Sequence, residues 1–342
     1  MLFLAAGTAC SQTSPPANPL AFHLGPLQLR PSAFMESIAM FRTATTADTI
    51  NTRFGSIPLE PTPGQGLISF EHSRLMLNGE MRTGGGTITG YAESDFLNPP
   101  GRQRYRWRQY WGQFEIDGWQ VLGGQAWSLL RPNRSGIQTE SGLMSTHVVD
   151  PAYHPGLIGR RKRQIRVVRQ LGASRAAFTY DQDHDFSGKV AHDWKKTHVE
   201  LAVLAGEERR RAVSLAGVVP LGGKVDWVSQ QFWSQGVGPE ALGVLPGGVH
   251  GHTTIQGLEA RVRPSLEIFG YAGIAYGTRS AGNRAVRQWT LGFLQRLFNR
   301  PGVGAASVSG QYSQLDRSTW TGQRGGMNYV MLSVRYYYPG LR

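Results

Sequence analysis

Residues 330–338 read Val330-Met331-Leu332-Ser333-Val334-Arg335-Tyr336-Tyr337-Tyr338. Large apolar or aromatic side chains occupy every second position from Val330 to Tyr338, and Ser333 and Arg335 lie between them. Successive side chains of a strand point to opposite faces, so this period of two predicts a β-strand with one apolar and one polar face.

The same alternation recurs along the chain from about residue 32 onward, and we find no sustained helical period. In 287–298, for example, Trp289, Leu291 and Phe293 alternate with polar residues. Most of the alternating segments are bounded by glycine, proline or polar residues, which are typical of turns. The predicted strands are 33–45, 67–82, 86–97, 103–117, 119–128, 160–171, 174–184, 189–196, 197–207, 211–221, 224–235, 252–263, 265–278, 286–298, 303–315 and 327–338.

Composition excludes several classes of protein. The 342 residues include 44 Gly and a single cysteine, Cys10, which excludes a disulfide framework and a cysteine-based metal cluster. The formal net charge is +13, and 31 of the 36 basic residues are arginine. This charge is compatible with a nucleic-acid binder, a binder of anionic surfaces or a channel lined by cations. The basic run 160–163 alone would fit nucleic acid, but the amphipathic strand that it opens argues against that partner.

Strand length separates two all-β folds that share this alternation. A soluble sandwich exposes its polar face to water, whereas an outer-membrane barrel exposes its apolar face to lipid and lines its lumen with the polar one. Many predicted strands here have 10 to 13 residues, and a tilted strand needs about 9–11 to cross a bilayer. Short and long connections between strands also alternate along the chain. The sequence therefore predicts an all-β fold, a transmembrane antiparallel β-barrel of about sixteen strands.

The N-terminus indicates export. The apolar run Leu2–Ala6 precedes small residues, Cys10 and a polar stretch rich in proline, which is typical of the second half of a signal peptide. We therefore assign 1–31 to a truncated signal peptide and leader, and 32–342 to the barrel of an integral protein of the bacterial outer membrane. Lipidation of Cys10 and a plain disordered tail are alternatives that the sequence leaves open.

Four motifs in residues 67–130 resemble the DcaP-like outer-membrane porins. They are Ser73-Arg74-Leu75, then 90–96 (GYAESDF), 106–112 (RWRQYWG) and 124–128 (GQAWS), in that order. The resemblance implies a sixteen-stranded homotrimeric porin, a third loop folded into the lumen, and small anionic solutes such as dicarboxylates. We expect outer-membrane lipid and lipopolysaccharide as surroundings, and no cofactor.

Basic residues on the polar faces predict an anion-attracting lumen. Arg104, Arg106 and Arg108 alternate on one strand, as do Lys162 and Arg166 on a later one. Rings of Arg and Lys select anions in pores, and a charge on the lipid face would be costly. The alternative is that acidic and basic residues simply pair and keep the lumen wet. The predicted pore-lining residues are Arg74, Glu93, Asp95, Arg104, Arg106, Arg108, Lys162, Arg166, Arg261, Arg263, Arg296 and Arg335.

The longest connection, 129–159, is the candidate constriction and is called loop 3 below. A structureless loop of about 30 residues in a compact protein is usually functional or disordered. We expect it to fold into the lumen, with a surface flap as the alternative. Its candidate residues are Arg131, Arg134, Glu140, His147, Asp150 and His154.

Other signals are weak. Asp181-x-Asp183-x-Asp185 begins like a calcium loop, but Phe186 stands where that loop needs glycine. The sequence has no G-x-S-x-G elbow, phosphate-binding loop or dinucleotide fingerprint. We therefore predict a porin for passive diffusion, with no enzymatic activity, no metal, no cofactor and no nucleic-acid partner. The alternatives are a secreted soluble β-protein that binds glycans and, less favoured, an outer-membrane barrel enzyme.

Overall fold

The computed structural model describes residues 21–97, 105–139, 147–241, 244–245, 249–278 and 282–338. Within them the chain forms eighteen strands joined in one antiparallel sheet. The strands are β1 (Phe22–Leu24), β2 (Leu27–Arg42), β3 (Gln65–Ser69), β4 (Arg74–Thr83), β5 (Gly86–Asp95), β6 (Arg106–Ile116), β7 (Trp119–Trp127), β8 (Arg161–Leu171), β9 (Ser174–Asp181), β10 (Phe186–Trp194), β11 (Thr197–Ala205), β12 (Arg211–Gly222), β13 (Val225–Gln235), β14 (His250–Arg263), β15 (Leu266–Gly277), β16 (Asn283–Arg300), β17 (Gly304–Thr319) and β18 (Arg324–Tyr337).

The sheet closes into a barrel because its last strand pairs with β2. This pairing runs from Tyr329 opposite Arg42 to Tyr337 opposite Phe34. β2 and β4 to β18 form a closed ring of sixteen strands, while β1 pairs with the start of β2 and β3 pairs with its end. The predicted all-β barrel of about sixteen strands is confirmed.

The outer face of the ring is apolar, as the alternation predicts. Leu332 and Val334 of β18, and Leu291 of β16, all project outward and are exposed. A soluble sandwich would bury these side chains under a second sheet, and the single closed ring has none. Among the described residues, no helix has the length and apolar character that a membrane crossing requires.

Short turns gather at one end of the barrel and most of the longer loops at the other. The bounds differ from the predictions in a few places. β17 and β18 extend further than predicted and leave only 320–323 between them, and β10 begins at Phe186. β1 and the first residues of β2 fall within 1–31, so the predicted boundary at residue 31 lies inside β2. Cys10 lies outside the described residues.

The half of the lumen next to the long loops is filled by side chains. The loop after β2 (43–64) places Ile50, Phe54 and Ile57 against inward-facing residues of β18 such as Met331. These residues are almost completely buried. Near the short turns, by contrast, the inward-facing Arg296 is exposed. The interior therefore narrows from the short-turn end towards the long loops.

Candidate functional site

The structure bounds loop 3 at 128–160, between β7 and β8, one residue longer at each end than predicted. Its described residues, 128–139 and 147–160, extend into the interior and form hydrogen bonds with the far wall. The backbone N–H of Asn133 donates to Glu200 of β11 at 3.2 Å, and that of Gly136 donates to Asp193 of β10 at 3.0 Å. Further along, the N–H of His147 donates to the Tyr271 hydroxyl of β15 at 2.9 Å. The prediction that this loop folds into the lumen is confirmed.

Apolar contacts and two glycines fix the returning half of the loop. Leu157 packs with Val228, Ile255 and other residues on the inner wall. The His154 ring lies against Gly273 of β15, where a methyl group would come within 2.6 Å of it. At Gly156 a methyl group would overlap the carbonyl oxygen of Thr254 in β14. Since neither position has room for a side chain, the backbone of the loop can lie directly on the wall.

Arginines surround two carboxylates on the inner face of β5 and β6. Arg106 donates to both oxygens of Asp95, at 2.8 and 2.6 Å, and Arg108 donates to Asp95 at 2.5 Å and to Glu93. Arg74 of β4 approaches Glu93 at 3.7 Å. These bonds place five of the predicted pore-lining residues together in one network.

The predicted arginine alternation on this strand is broken by a bulge. Ser94 pairs with Trp107 while its neighbour Glu93 pairs with Gln109, so Arg108 has no partner in the ladder. Both Arg106 and Arg108 reach the same carboxylate. Beyond the bulge the inward positions change phase, and Gln109 is buried. Arg104 lies outside the described residues.

Loop 3 and the start of β8 each add one further guanidinium group to this region. The Arg131 guanidinium lies 4.8 Å from the Trp127 ring and 4.7 Å from the Tyr153 ring, and Arg161 lies 5.1 Å from Trp127. Arg131 is completely buried and donates to the Ile158 carbonyl at 3.1 Å. We call Arg74, Arg106, Arg108, Arg131 and Arg161 the arginine cluster.

The pKa of Tyr153 reports the positive potential inside the arginine cluster. Burial alone would raise this pKa, but Arg108, Arg74, Arg131 and Arg161 lower it to about 7. A hydroxyl that loses its proton this easily lies where negative charge is stabilised. Among the described residues, the five cations of the arginine cluster face two carboxylates, Glu93 and Asp95, which is consistent with this potential.

Most of the other predicted lumen cations are paired. Arg335 donates to both oxygens of Glu36 at 2.8 Å, Arg296 lies 3.0 Å from Glu267, and Arg261 lies 3.7 Å from Asp226. Within the described chain, Arg131, Arg166 and Arg263 of the predicted set have no carboxylate within 4.0 Å. Pairing thus accounts for part of the lumen charge, and among the described residues the arginine cluster holds five cations against two carboxylates.

Lys162 fills the centre of the acidic group that resembles a calcium loop. Its ammonium lies 2.9 Å from Asp181, 3.2 Å from Asp183, 3.0 Å from Asp185 and 3.2 Å from Glu240. The three aspartates are close enough together to hold a cation. In this protein the lysine already provides that positive charge.

The remaining loop residues have separate surroundings. Arg134 donates to Glu259 of β14, and His147 lies 3.3 Å from the same carboxylate. Asp150 is buried and accepts a hydrogen bond from the Ala152 N–H at 2.8 Å. Glu140 lies outside the described residues.

Sequence reasoning missed several residues of the interior. Glu36 is buried and forms an ion pair with Arg335. The alternation along its strand places Glu36 on the inward face, so the sequence pattern could have identified it. Lys189 pairs with Glu200 at 2.8 Å and donates to the Arg131 carbonyl at 2.8 Å. Lys189 begins the predicted strand 189–196, which has the least regular alternation. The pattern therefore gave little indication of which face of the strand Lys189 occupies.

Comparisons with known proteins add the fold relationship. No protein-family model matches the chain, and neither does any curated protein. Among solved structures, the outer membrane channel DcaP of Acinetobacter baumannii aligns over 91% of this chain and 97% of its own, with 14% identity and a TM-score of 0.74. The Salmonella typhi OmpF complex with daunomycin covers 93% and 100%, with 9% identity and a TM-score of 0.65. A loop-deletion form of OmpT, an outer membrane protein of Vibrio cholerae, covers 92% and 100%, with 10% identity and a TM-score of 0.63. The chain thus has the fold of the outer-membrane porins, and its predicted resemblance to DcaP-like porins is confirmed in its fold.

Proposed function

We propose that this protein is an outer-membrane porin through which small hydrophilic anions, of the dicarboxylate type, diffuse passively. No reaction is catalysed, and solutes move down their concentration gradient past loop 3. Two structural features support the proposal: a barrel with a lipid-compatible outer face, and a third loop that narrows its interior.

The arginine cluster is the observation that carries the preference for anions. It places five guanidinium groups around two carboxylates beside loop 3. A cation in a narrow, low-dielectric passage attracts anions much more strongly than it would in bulk water. Arginine binds a carboxylate through two parallel hydrogen bonds. A dicarboxylate can therefore engage two guanidinium groups at once, whereas an anion with a single charged group engages one.

The proposed setting follows from the barrel and from the resemblance. We infer residence in the bacterial outer membrane, export by an N-terminal signal within residues 1–31, contact with lipid and lipopolysaccharide, and a homotrimeric assembly. The same proposal includes the remaining pore-lining residues, which are Arg166, Arg261, Arg263, Arg296 and Arg335.

Liposome swelling tests the substrate class. Proteoliposomes are diluted into isosmotic solutions of a dicarboxylate, a neutral sugar of similar size or a diamine of similar size. We expect the fastest swelling with the dicarboxylate and the slowest with the diamine. In Arg131→Gln, the ratio of dicarboxylate to sugar rates should fall, while Arg163→Gln, on an exposed position of β8, should leave it unchanged. Equal rates for all three solutes would contradict the anion preference.

A further inference from the structure

The barrel wall contains a gap where the ladder of β2 is interrupted. β4 pairs with β2 up to Phe34, and β3 pairs with it from Ile38 onward. Residues 35–37 of β2 therefore face the turn 70–73 without a ladder partner in either strand. A transmembrane barrel normally closes its wall with a continuous ladder, because lipid cannot satisfy free backbone groups.

A side chain stabilises the interrupted backbone. Ser73 Oγ accepts a hydrogen bond from the Glu36 N–H at 3.0 Å, and the Ser73 N–H donates to the Phe70 carbonyl at 3.0 Å. The gap thus has its own hydrogen bonds, which makes it a formed feature of the wall and not a frayed edge.

A cavity of about 1150 Å³ occupies this gap. Met35, Ile68 and Leu75, which project outward, form its outer rim, and Ile68 is 72% exposed. Met76, which packs with the core of the lumen wall, and Ile50 of the loop after β2 line it from the inside. Because outward and inward side chains share one cavity, the cavity passes into the wall and is not confined to its outer face.

We propose that this cavity, here called the wall cavity, binds the acyl chain of an outer-membrane lipid that enters from the bilayer between β3 and β4. Its lining is mainly apolar, and its outer rim belongs to the face that meets lipid. The volume of about 1150 Å³ is just above the usual range of small-molecule sites, which is about 300–1,000 Å³. The proposal goes beyond diffusion through the lumen and does not depend on anion preference.

A hydrocarbon chain fits the wall cavity better than a second copy of this protein does. The flat face of a neighbouring barrel would cover Met35 and Ile68 at the rim, but it would not reach Met76 and Ile50 behind them. A single flexible chain reaches both. The charged residues of the lining, Arg74, Asp48 and Glu71, are of both signs, so the lipid headgroup has no single charge to match and stays at the rim.

Photolabelling tests this proposal. The full-length protein is placed in phosphatidylethanolamine vesicles in which a fraction of the lipid carries a diazirine at the end of one acyl chain, and the adducts are mapped by mass spectrometry. Ordinary surrounding lipid labels outward residues such as Leu291 and Val334. We expect additional adducts on Met76 and Ile50, which surrounding lipid cannot reach.

Matched tryptophan variants supply the control. Ala33 lines the wall cavity, and Ala39 lies on the same face of β2 outside its lining. Ala33→Trp should reduce the inner adducts about tenfold, equivalent to about 1.4 kcal/mol of binding free energy, and Ala39→Trp should leave them unchanged. Heat-modifiable mobility on gels checks that both variants fold, and Ala33→Leu replaces Ala33→Trp if that variant does not.

Two outcomes would overturn the proposal. One is labelling confined to outward residues, with Met76 and Ile50 unlabelled. The other is zero-length cross-linking between copies through Glu71 at the lining together with loss of lipid labelling at the rim, which would show that a second copy covers the wall cavity. Neither outcome changes conductance, so the failure of this proposal is distinguishable from the failure of the channel function.

Discussion

Arg134 of loop 3 and Glu259 of β14 form a two-bond ion pair across the lumen, with Nη1 to Oε2 at 2.8 Å and Nη2 to Oε1 at 2.5 Å. Tyr271 donates to the same carboxylate at 2.6 Å, and His147 lies 3.3 Å from it. Glu259 is therefore the wall residue on which two segments of the loop converge. The pair fixes how far loop 3 projects into the passage.

Removing the charge of Glu259 should loosen loop 3. In Glu259→Gln the Arg134 guanidinium loses its bidentate partner, at a cost of about 2–3 kcal/mol since Arg134 is only partly buried. Single-channel recordings should show a larger and noisier conductance than in the wild type. Glu115→Gln, at an exposed position of β6, is the control and should conduct as the wild type does. Unchanged recordings from Glu259→Gln would show that this pair does not position the loop.

A side chain at Gly156 should lift the loop from the wall. In Gly156→Ala the added methyl group would overlap the Thr254 carbonyl, and that backbone oxygen cannot move without breaking the ladder. We expect higher conductance and faster proteolysis within 128–160, with the barrel still folded. Gly90→Ala, where the methyl group meets open space, should leave both properties as they are. Equal proteolysis of the two variants would argue against the close packing of loop 3.

Loss of the Lys162 ammonium should destabilise the long-loop end. Lys162→Met would leave four carboxylates without their central cation, and breaking a buried ion pair costs about 3–5 kcal/mol. The midpoint of urea unfolding should fall, and Ca²⁺ should restore part of the loss in the variant while leaving the wild type unaffected. Arg163→Met is the control for a neighbouring exposed cation. A Ca²⁺ effect in the wild type would show that the lysine does not fill this site.

Asp150 should make the docking of loop 3 dependent on pH. It lies in the loop and not in a strand, and burial raises its pKa from 3.8 to about 6. Because the folded state holds the proton more tightly, the stabilisation is complete below about pH 4 and is lost as the pH rises through 6. We expect the wild type to lose about 2–3 kcal/mol of stability between pH 4 and 7.

Asp150→Asn should show no such loss, since the amide stays neutral and its oxygen still accepts from Ala152. Thermal unfolding in detergent at pH 4 and 7 measures both proteins. If the wild type and Asp150→Asn lost the same stability between pH 4 and pH 7, Asp150 would be ionised at both pH values and the prediction would be wrong.

The period of two predicts most of the barrel because each strand has one face against lipid. Residues 330–338 carry a large apolar or aromatic side chain at every second position, and Leu332 and Val334 of β18 project outward as predicted. Strand lengths are less well predicted, because strands such as β17 continue into polar residues that meet water beyond the bilayer. Loop 3 is predicted by its length and by the resemblance.

The sequence does contain an indication of the gap between β3 and β4, although 67–82 was predicted as a single strand. Ile68 and Phe70 are apolar at even positions, whereas Leu75 and Leu77 are apolar at odd ones. A change of phase within the predicted strand 67–82 means that it cannot be one regular strand, and the structure divides it into β3 and β4.

Ion pairs across the lumen were beyond sequence reasoning. Arg134 and Glu259 are 125 positions apart, and only the closure of the barrel brings loop 3 to β14. The same holds for Arg335 and Glu36, which meet because the last strand pairs with β2. How much lumen charge is neutralised depends on these distant pairs, so the sequence left selectivity and plain pairing open as alternatives.

The central claim is that the arginine cluster gives the channel a preference for anions, and the reversal potential in a planar bilayer under a tenfold KCl gradient tests it most directly. We expect a reversal potential of the sign that chloride selectivity gives, reduced in Arg131→Gln and unchanged in Arg163→Gln. A potential of the sign that potassium selectivity gives, or the absence of any conductance, would contradict the account.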